Sequence, residues 1–110
     1  MDEQVVGPEL VLSMKRERNR AVITIRGELD AYSAPGLDEQ IARLLRDNSK
    51  VVVLDLSETA FLDSSGLRAI LTAQRRLTEA QGELMLRNPS EPVTRLLEIT
   101  GLTDHFTTET

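Results

Sequence analysis

The sequence predicts an α/β fold in which helices pack on a mixed β-sheet whose central strands are parallel. Short runs rich in β-branched residues alternate with segments whose apolar residues recur at helical spacing, a pattern typical of strands joined by helices. The segment Lys50–Leu56 (KVVVLDL) is almost entirely apolar, as expected of a central strand that is covered on both faces. The chain has 110 residues, 40% of them hydrophobic and only 3% aromatic, so we expect one domain with an aliphatic core.

Two antiparallel strands are expected near the start of the chain. Leu10–Lys15 and Ala21–Ile25 read as strands, and the polar run RERNR between them predicts a hairpin turn. Alternation places Val22 and Thr24 of the second strand on one face and its other apolar residues on the opposite face.

The loop GELDAYSAPG leads into the first helix. Either Asp30 or Ser33 is suited to cap this helix, and Pro35 is tolerated in its first turn. The apolar positions of the helix form one stripe, namely Leu37, Ile41, Leu44 and Leu45.

The strand over Lys50–Leu56 is followed by the segment SETAFLDSSG, which we expect to be a loop. A second helix extends over about 65–80, with Gly82 as its C-cap, and Glu83–Leu86 forms a short strand.

A third helix is predicted within NPSEPVTRLLEITG. Ser90 is its candidate N-cap and Gly101 follows its last residue. The tail around Phe106 either forms a last edge strand or trails from the domain, so we expect four or five strands in the sheet.

Composition excludes several classes of function. The net charge is −5 and the pI is about 4.9, which argues against nucleic-acid binding. The arginines at 16, 18 and 20 are interrupted by Glu17, and a solvated hairpin turn is favoured over a phosphate-binding patch. Neither a signal peptide nor a membrane-spanning run is recognisable, so we expect a cytoplasmic protein that does not bind membranes.

The chain has few of the residue types that enzymes use for catalysis. The chain has no cysteine, and His105, near the C-terminus, is its only histidine. Thiol nucleophiles, transition-metal sites and a histidine-dependent serine triad are therefore not expected. Neither GxGxxG nor GxxxxGK[ST] occurs, and we expect no cofactor. Two other classes of function remain as alternatives, namely a hydrolase that uses Ser64 and a nucleotide-binding module.

Two carboxylates stand apart from those expected on solvated faces. Asp30 follows a strand in GELD, and Asp63 lies in FLDSSG ahead of the second helix. If the two loops follow parallel neighbouring strands, they emerge at the same edge of the sheet, where α/β proteins place their sites. The simpler interpretation is that each carboxylate caps a helix.

The cluster Asp63-Ser64-Ser65 holds more capping groups than one helix needs. Asp63 or Ser64 is sufficient as a cap, so a second hydroxyl is available at the turn, and Gly66 leaves room for another protein to approach the backbone. A phosphoryl group here would add roughly −1.5 to −2 charges. Phosphorylation would thus act as a repulsive gate on a partner without disturbing the fold.

Three segments resemble the STAS domain of bacterial anti-sigma factor antagonists. They are GELDAYSA (27–34), VVLDLSETAFLDSSGLRAIL (52–71) and GELMLRNPSEPVTRLLEITGLTDHF (82–106). Their order and spacing match over nearly the whole chain, and the LDxSxxxFLDSSGL block is the most specific. The resemblance implies a single STAS domain over 1–110, with its core at about 9–107.

The resemblance also implies a function. Ser64 would be the serine phosphorylated by a GHKL-type kinase that doubles as the anti-sigma factor. The unphosphorylated protein would bind that kinase and free the sigma factor. Phosphorylation at Ser64 would switch this binding off, and a PP2C-type phosphatase would restore the unphosphorylated form. The implied contact surface comprises Asp30, Phe61, Asp63, Ser64, Ser65, Gly66 and Arg68.

The protein would have no catalytic activity and would be a monomer or weak homodimer. The alternative within the same fold is a STAS subunit of a stress-sensing or lipid-transporter assembly, which would use the same surface for other partners.

Overall fold

A computed structural model describes residues 2–7 and 9–109, which form one sheet with three α-helices. The strands are β1 (Asp2–Gly7), β2 (Leu10–Glu17), β3 (Arg20–Leu29), β4 (Val51–Asp55), β5 (Thr59–Leu62), β6 (Glu83–Arg87) and β7 (Thr107–Glu109). The helices are α1 (Ala34–Arg46), α2 (Ser64–Glu79) and α3 (Glu91–Thr100), with a 3₁₀ turn at Thr103–His105. None of the helices in this described part is long and apolar enough to span a membrane.

The sheet has the order β1-β2-β3-β4-β6-β7. The first two pairs are antiparallel, and β3, β4, β6 and β7 are parallel neighbours. The mixed sheet with parallel central strands is as the sequence predicted. β3 is long enough to pair with two successive strands, β4 along its first half and β5 near its end.

The strand count is higher than predicted, since the described residues form seven strands instead of four or five. The segment expected to be a loop contains β5, in which Thr59 and Leu62 are buried but Ala60 and Phe61 are exposed. This pattern lacks the alternation that reveals a strand in a sequence. β1 was also missed, and it lies at the edge of the sheet, where Val5 is exposed. The tail forms the edge strand β7, which was one of the two structures predicted for it.

The hydrophobic core lies between one face of the sheet and the helices. Alternate strand residues such as Ile23, Leu54 and Leu86 belong to one buried cluster together with helix residues such as Leu37 and Ile70. Burying each side chain of this size stabilises the fold by about 1.5–3 kcal/mol. The face predicted for β3 is confirmed, because Val22 lies outside this cluster.

The opposite face of the sheet carries charged side chains over apolar residues. Val22 and Val53 are neighbours in the register of β3 and β4, and both are fully buried although they lie outside the helix-covered cluster. The same register places Arg20 and Arg87 on this face. The prediction that β4 is buried on both faces is correct. Its second cover comes from half-buried side chains of the same face, namely Met85, Arg20 and Arg87.

Two arginines and two glutamates form an ion-pair network on this face. Arg87 bonds Glu109 through Nε at 2.7 Å and Glu17 through its terminal nitrogens at 3.0 and 3.1 Å. Arg20 also bonds both carboxylates, with its shortest contact at 2.7 Å to Glu109. Arg20 therefore flanks the hairpin turn, as expected, but it is held in ion pairs instead of being solvated. The turn itself is formed by Arg18 and Asn19, and Arg18 has a positive φ.

The network makes the two carboxylates stronger acids. A hydrogen bond from Arg87 is the main cause that lowers the pKa of Glu17 to about 2, and hydrogen bonds from Arg20 and then Arg87 lower the pKa of Glu109. Conversely, the bond to Glu17 is the main contact that raises the pKa of Arg87.

The predicted ends of α2 lie within one residue of the observed ends, but the capping residues of α2 and α3 differ from the prediction. The left-handed residue after α2 is Gln81 and its C-cap is Ala80, so the assignment of Gly82 as C-cap is wrong. A Cβ on Gly82 would lie 2.2 Å from the Lys50 carbonyl oxygen, which explains the glycine. Ser90 is the N-cap of α3 by position, yet its hydroxyl bonds Thr59 O at 2.6 Å instead of an amide of the helix.

Replacing Glu17 by Gln should make the free energy of unfolding less dependent on pH in the acidic range. The folded pKa of Glu17 is lowered from 4.5 to about 2, so its ion pairs stabilise the fold above about pH 4.5 and lose that contribution as the pH falls towards 2. In urea unfolding, the stability difference between the parent protein and E17Q should therefore be largest at pH 7 and shrink below pH 4.5. Glu91→Gln, which removes an exposed pair with Arg95, should change little at any pH. A difference that stays constant down to pH 3 would contradict this role of the network.

Candidate functional site

Two loops meet at one edge of the sheet because β3 and β5 are parallel. Leu29 pairs with Leu62, so Asp30 and Asp63 follow directly after paired residues. The Asp63 amide also donates to Leu29 O at 3.4 Å. The prediction that both carboxylates emerge at the same edge is confirmed.

Asp30 builds the loop between β3 and α1. Its Oδ1 accepts hydrogen bonds from the amides of Tyr32 and Ser33, both at 3.0 Å. The Ser33 hydroxyl is buried and lies 3.0 Å from Glu28 O and 3.1 Å from Asp30 Oδ1. Ser33 is the N-cap of α1 by position but makes no side-chain cap. Asp30 therefore acts first as the residue that closes this turn.

Asp63 is the cap of α2, which leaves the next serine free. Its Oδ1 accepts from the Gly66 amide at 2.9 Å, and its carbonyl accepts from the Leu67 amide at 2.9 Å. Ser64 is the first helical residue and is exposed. Within residues 2–7 and 9–109, its hydroxyl makes no hydrogen bond. Of the two capping candidates, only Asp63 fulfils that role.

Gly66 serves the packing inside the domain. It is buried, and a Cβ at this position would lie 2.3 Å from Leu29 O and 2.7 Å from Leu62 Cδ1. The first turn of α2 thus packs directly on the ends of β3 and β5. The expectation that this glycine leaves room for a partner is wrong, because the space beside it is already filled by the chain itself.

Two exposed aromatic rings flank the turns. Tyr32 is 77% exposed in the β3–α1 loop, and Phe61 is 46% exposed on β5 beside Glu28 of β3. Sequence reasoning included Phe61 but missed Tyr32. The signal was available, because a tyrosine in the polar loop GELDAYSAPG is one of only three aromatic residues in the chain.

A shallow groove of about 250 Å³ lies between the starts of α1 and α2. Ser65, half-buried, and Arg68, exposed, line it from α2, and Pro35 and Asp38 line it from α1. The structure therefore brings all the predicted contact residues to one edge of the domain. It leaves the side chains of Phe61, Ser64 and Arg68 most accessible there.

The single histidine lies elsewhere. The carbonyl of His105 accepts a bond from Gln74, ten residues after Ser64 and so roughly 15 Å along α2. The His105 ring contacts Phe106 edge-on, with ring centroids 5.2 Å apart. Among the described residues, no three His, Cys, Asp or Glu side chains come together as metal ligands would.

Comparison with known proteins places this fold and site in a family. The STAS domain family matches residues 12–110. The anti-sigma-B factor antagonist of Listeria monocytogenes is 37% identical over 90 residues, which are 82% of this chain and 79% of that protein. That of Bacillus subtilis is 33% identical over 93 residues, or 84% of each chain.

A solved structure agrees with the sequence matches. The anti-sigma factor antagonist SpoIIAA in its unphosphorylated form superposes with a TM-score of 0.76 at 25% identity, covering 90% of this chain and 88% of that one. The chain therefore belongs to the STAS domain family. Its relatives are named as anti-sigma factor antagonists rather than as enzymes, which agrees with the prediction that this chain is not an enzyme.

Replacing Gly66 by Ala should destabilise the domain by about 1–3 kcal/mol, because the added methyl group meets the Leu29 carbonyl in a packed region. Ser64→Ala is the matched control on the same turn, and a change within about 0.5 kcal/mol is expected because its hydroxyl is exposed. Urea unfolding followed by circular dichroism measures both. Equal stability of the two variants would contradict the packing role of Gly66.

Proposed function

We propose that this protein is an anti-sigma factor antagonist whose binding to a GHKL-type anti-sigma factor and serine kinase is switched off by phosphorylation of Ser64. The proposal rests on one observation: Asp63 caps α2, whereas the neighbouring Ser64 is exposed and its hydroxyl makes no hydrogen bond within the described residues. The names of relatives at 33–37% identity support the same function.

The modification is a phosphoryl transfer to a side chain that folding does not use. A bond forms between Ser64 Oγ and the γ-phosphorus of ATP while the bond to the β–γ bridging oxygen breaks, ADP leaves, and the hydroxyl proton passes to a base of the kinase. A PP2C-type phosphatase reverses the state by hydrolysis, which releases inorganic phosphate and restores the hydroxyl. Nucleotide enters through the kinase, so this chain needs no cofactor.

Phosphorylation changes the surface more than the fold. The cap on Gly66 N belongs to Asp63 and survives the modification. The phosphoryl group adds roughly −1.5 to −2 charges beside two loops that already carry Asp30 and Asp63. A partner docked over this turn must then accommodate that charge, and a like charge placed in a docked interface costs several kcal/mol.

The docking surface is centred on the exposed ring of Phe61 and extends across the β3–α1 loop to Tyr32. Exposed aromatic residues are favoured anchors in protein interfaces because they bury a large area for little loss of conformational freedom. Ser65 and Arg68 complete the surface along the groove between α1 and α2. We propose that this encounter takes place in the cytoplasm.

The direct test is phosphotransfer from ATP with the GHKL-type anti-sigma kinases of the same genome. We expect one kinase to phosphorylate the protein on Ser64 by phosphopeptide mapping, with incorporation abolished in Ser64→Ala and retained in Ser65→Ala. Binding to that kinase should be at least tenfold weaker after phosphorylation. Phosphate found on Ser65, or unchanged binding of the phosphorylated protein, would overturn the proposed switch.

The aromatic anchors give a second prediction. Tyr32→Ala and Phe61→Ala should each weaken kinase binding by about 1–2 kcal/mol, or roughly 5–30-fold, with little effect on stability because both rings are exposed. Ile99→Ala is the control, since Ile99 is as exposed as Tyr32 and more exposed than Phe61 but lies on α3. Isothermal titration calorimetry measures all three. If Ile99→Ala weakens binding as much as the aromatic variants, the surface has been misplaced.

A further inference from the structure

We infer that Arg68 pairs with the phosphoryl group of phosphorylated Ser64 and so withdraws a cation from the docking surface when the switch is off. The inference rests on the proposed function, because it concerns the modified state of the same serine. Arg68 would thus be a positioning residue of the switch in addition to a contact residue of the unmodified form.

The helix places the two side chains on one face. Ser64 is the first residue of α2 and Arg68 follows four positions later, and residues at this spacing have Cβ atoms about 5–6 Å apart. Long side chains on a helix lean towards its N-terminus and lie over the preceding turn. Both residues are exposed, so the guanidinium can reach a group attached to Ser64 Oγ.

Arg68 is the only cation in the segments that form this edge. Residues 27–42 and 51–74 supply both loops and the starts of both helices, and Arg68 is the one lysine or arginine among them. The same segments carry seven acidic residues, namely Glu28, Asp30, Asp38, Glu39, Asp55, Glu58 and Asp63. Within these segments, Arg68 is therefore the one cation with which a phosphoryl group on Ser64 can pair.

Arg68 is not committed to another partner. Asp38 lines the same groove from α1, yet no ion pair of Arg68 within 4.0 Å occurs in the described part of the chain. From the β3–α1 loop, Asp30 is bound to the backbone amides of Tyr32 and Ser33. On α2 itself, Asp63 is held by the Gly66 amide.

The phosphoryl group outcompetes these carboxylates for the guanidinium. It carries up to two charges and three acceptor oxygens, and the planar guanidinium binds such groups through two parallel hydrogen bonds. In the unmodified protein, Arg68 has no ion-pair partner among the described residues, and the cation is available to a partner protein. In the modified protein, the cation is engaged within α2, so one event both adds an anion and removes a cation from the surface.

The test uses protein with phosphoserine incorporated at position 64 by genetic code expansion, which requires no kinase. A ³¹P NMR titration gives the second pKa of the phosphate. Because Arg68 favours the dianion, Arg68→Ala should raise that pKa by about 0.3 of a pH unit, and Arg68→Lys should retain part of the effect. The difference should shrink in about 0.5 M salt.

Arg75→Ala is the matched control, because Arg75 is exposed on the same helix two turns beyond Arg68. Its titration should equal that of the parent protein. If Arg68→Ala also titrates like the parent, or if both variants shift alike, the pairing is overturned. The kinase assay tests the proposed function separately. If no kinase modifies Ser64, the titration of the incorporated phosphoserine still tests the pairing with Arg68.

Discussion

The parallel pairing of the end of β3 with β5 is the constraint on which the site depends. It aligns Leu29 with Leu62 and thereby brings two loops that are distant in sequence to one edge. Gly66 then allows the first turn of α2 to sit directly against Leu29, so the same pairing fixes the start of the helix. The exposed Ser64 consequently lies where the ends of β3 and β5 pack against the first turn of α2.

The two loops at this corner are closed by their own carboxylates. Asp30 accepts from the amides of Tyr32 and Ser33, and Asp63 accepts from the amide of Gly66. Both side chains therefore do structural work while also making the surface acidic. Because Asp63 caps α2, the hydroxyl of Ser64 stays exposed and is not used by the cap. The rings of Tyr32, in the β3–α1 loop, and Phe61, on β5, are exposed as well.

Much of this could be predicted from sequence, and the exceptions have physical reasons. The helices and the central strand were found because periodicity reports burial on one or two faces. β5 was missed because its burial does not alternate, and the role of Gly66 was misjudged because the Leu29 carbonyl that it faces is 37 positions away in the sequence. Tyr32 was missed because a single exposed ring produces no pattern. The cover over Val22 and Val53 could not be foreseen, since its charged residues come from strands at both ends of the chain.

That cover has a consequence for the order in which the domain assembles. Arg20 and Glu109 are 89 residues apart in the chain, so their contact closes a loop that spans most of the domain. Contacts of such long range are entropically costly and form only after the intervening elements are in place. The helix-covered layer can therefore condense first, and the charged face is completed last, when β7 docks. By the same reasoning, detachment of β7 would remove Glu109 from the network and leave both arginines bound to Glu17 alone, while the helix-covered layer keeps its own contacts.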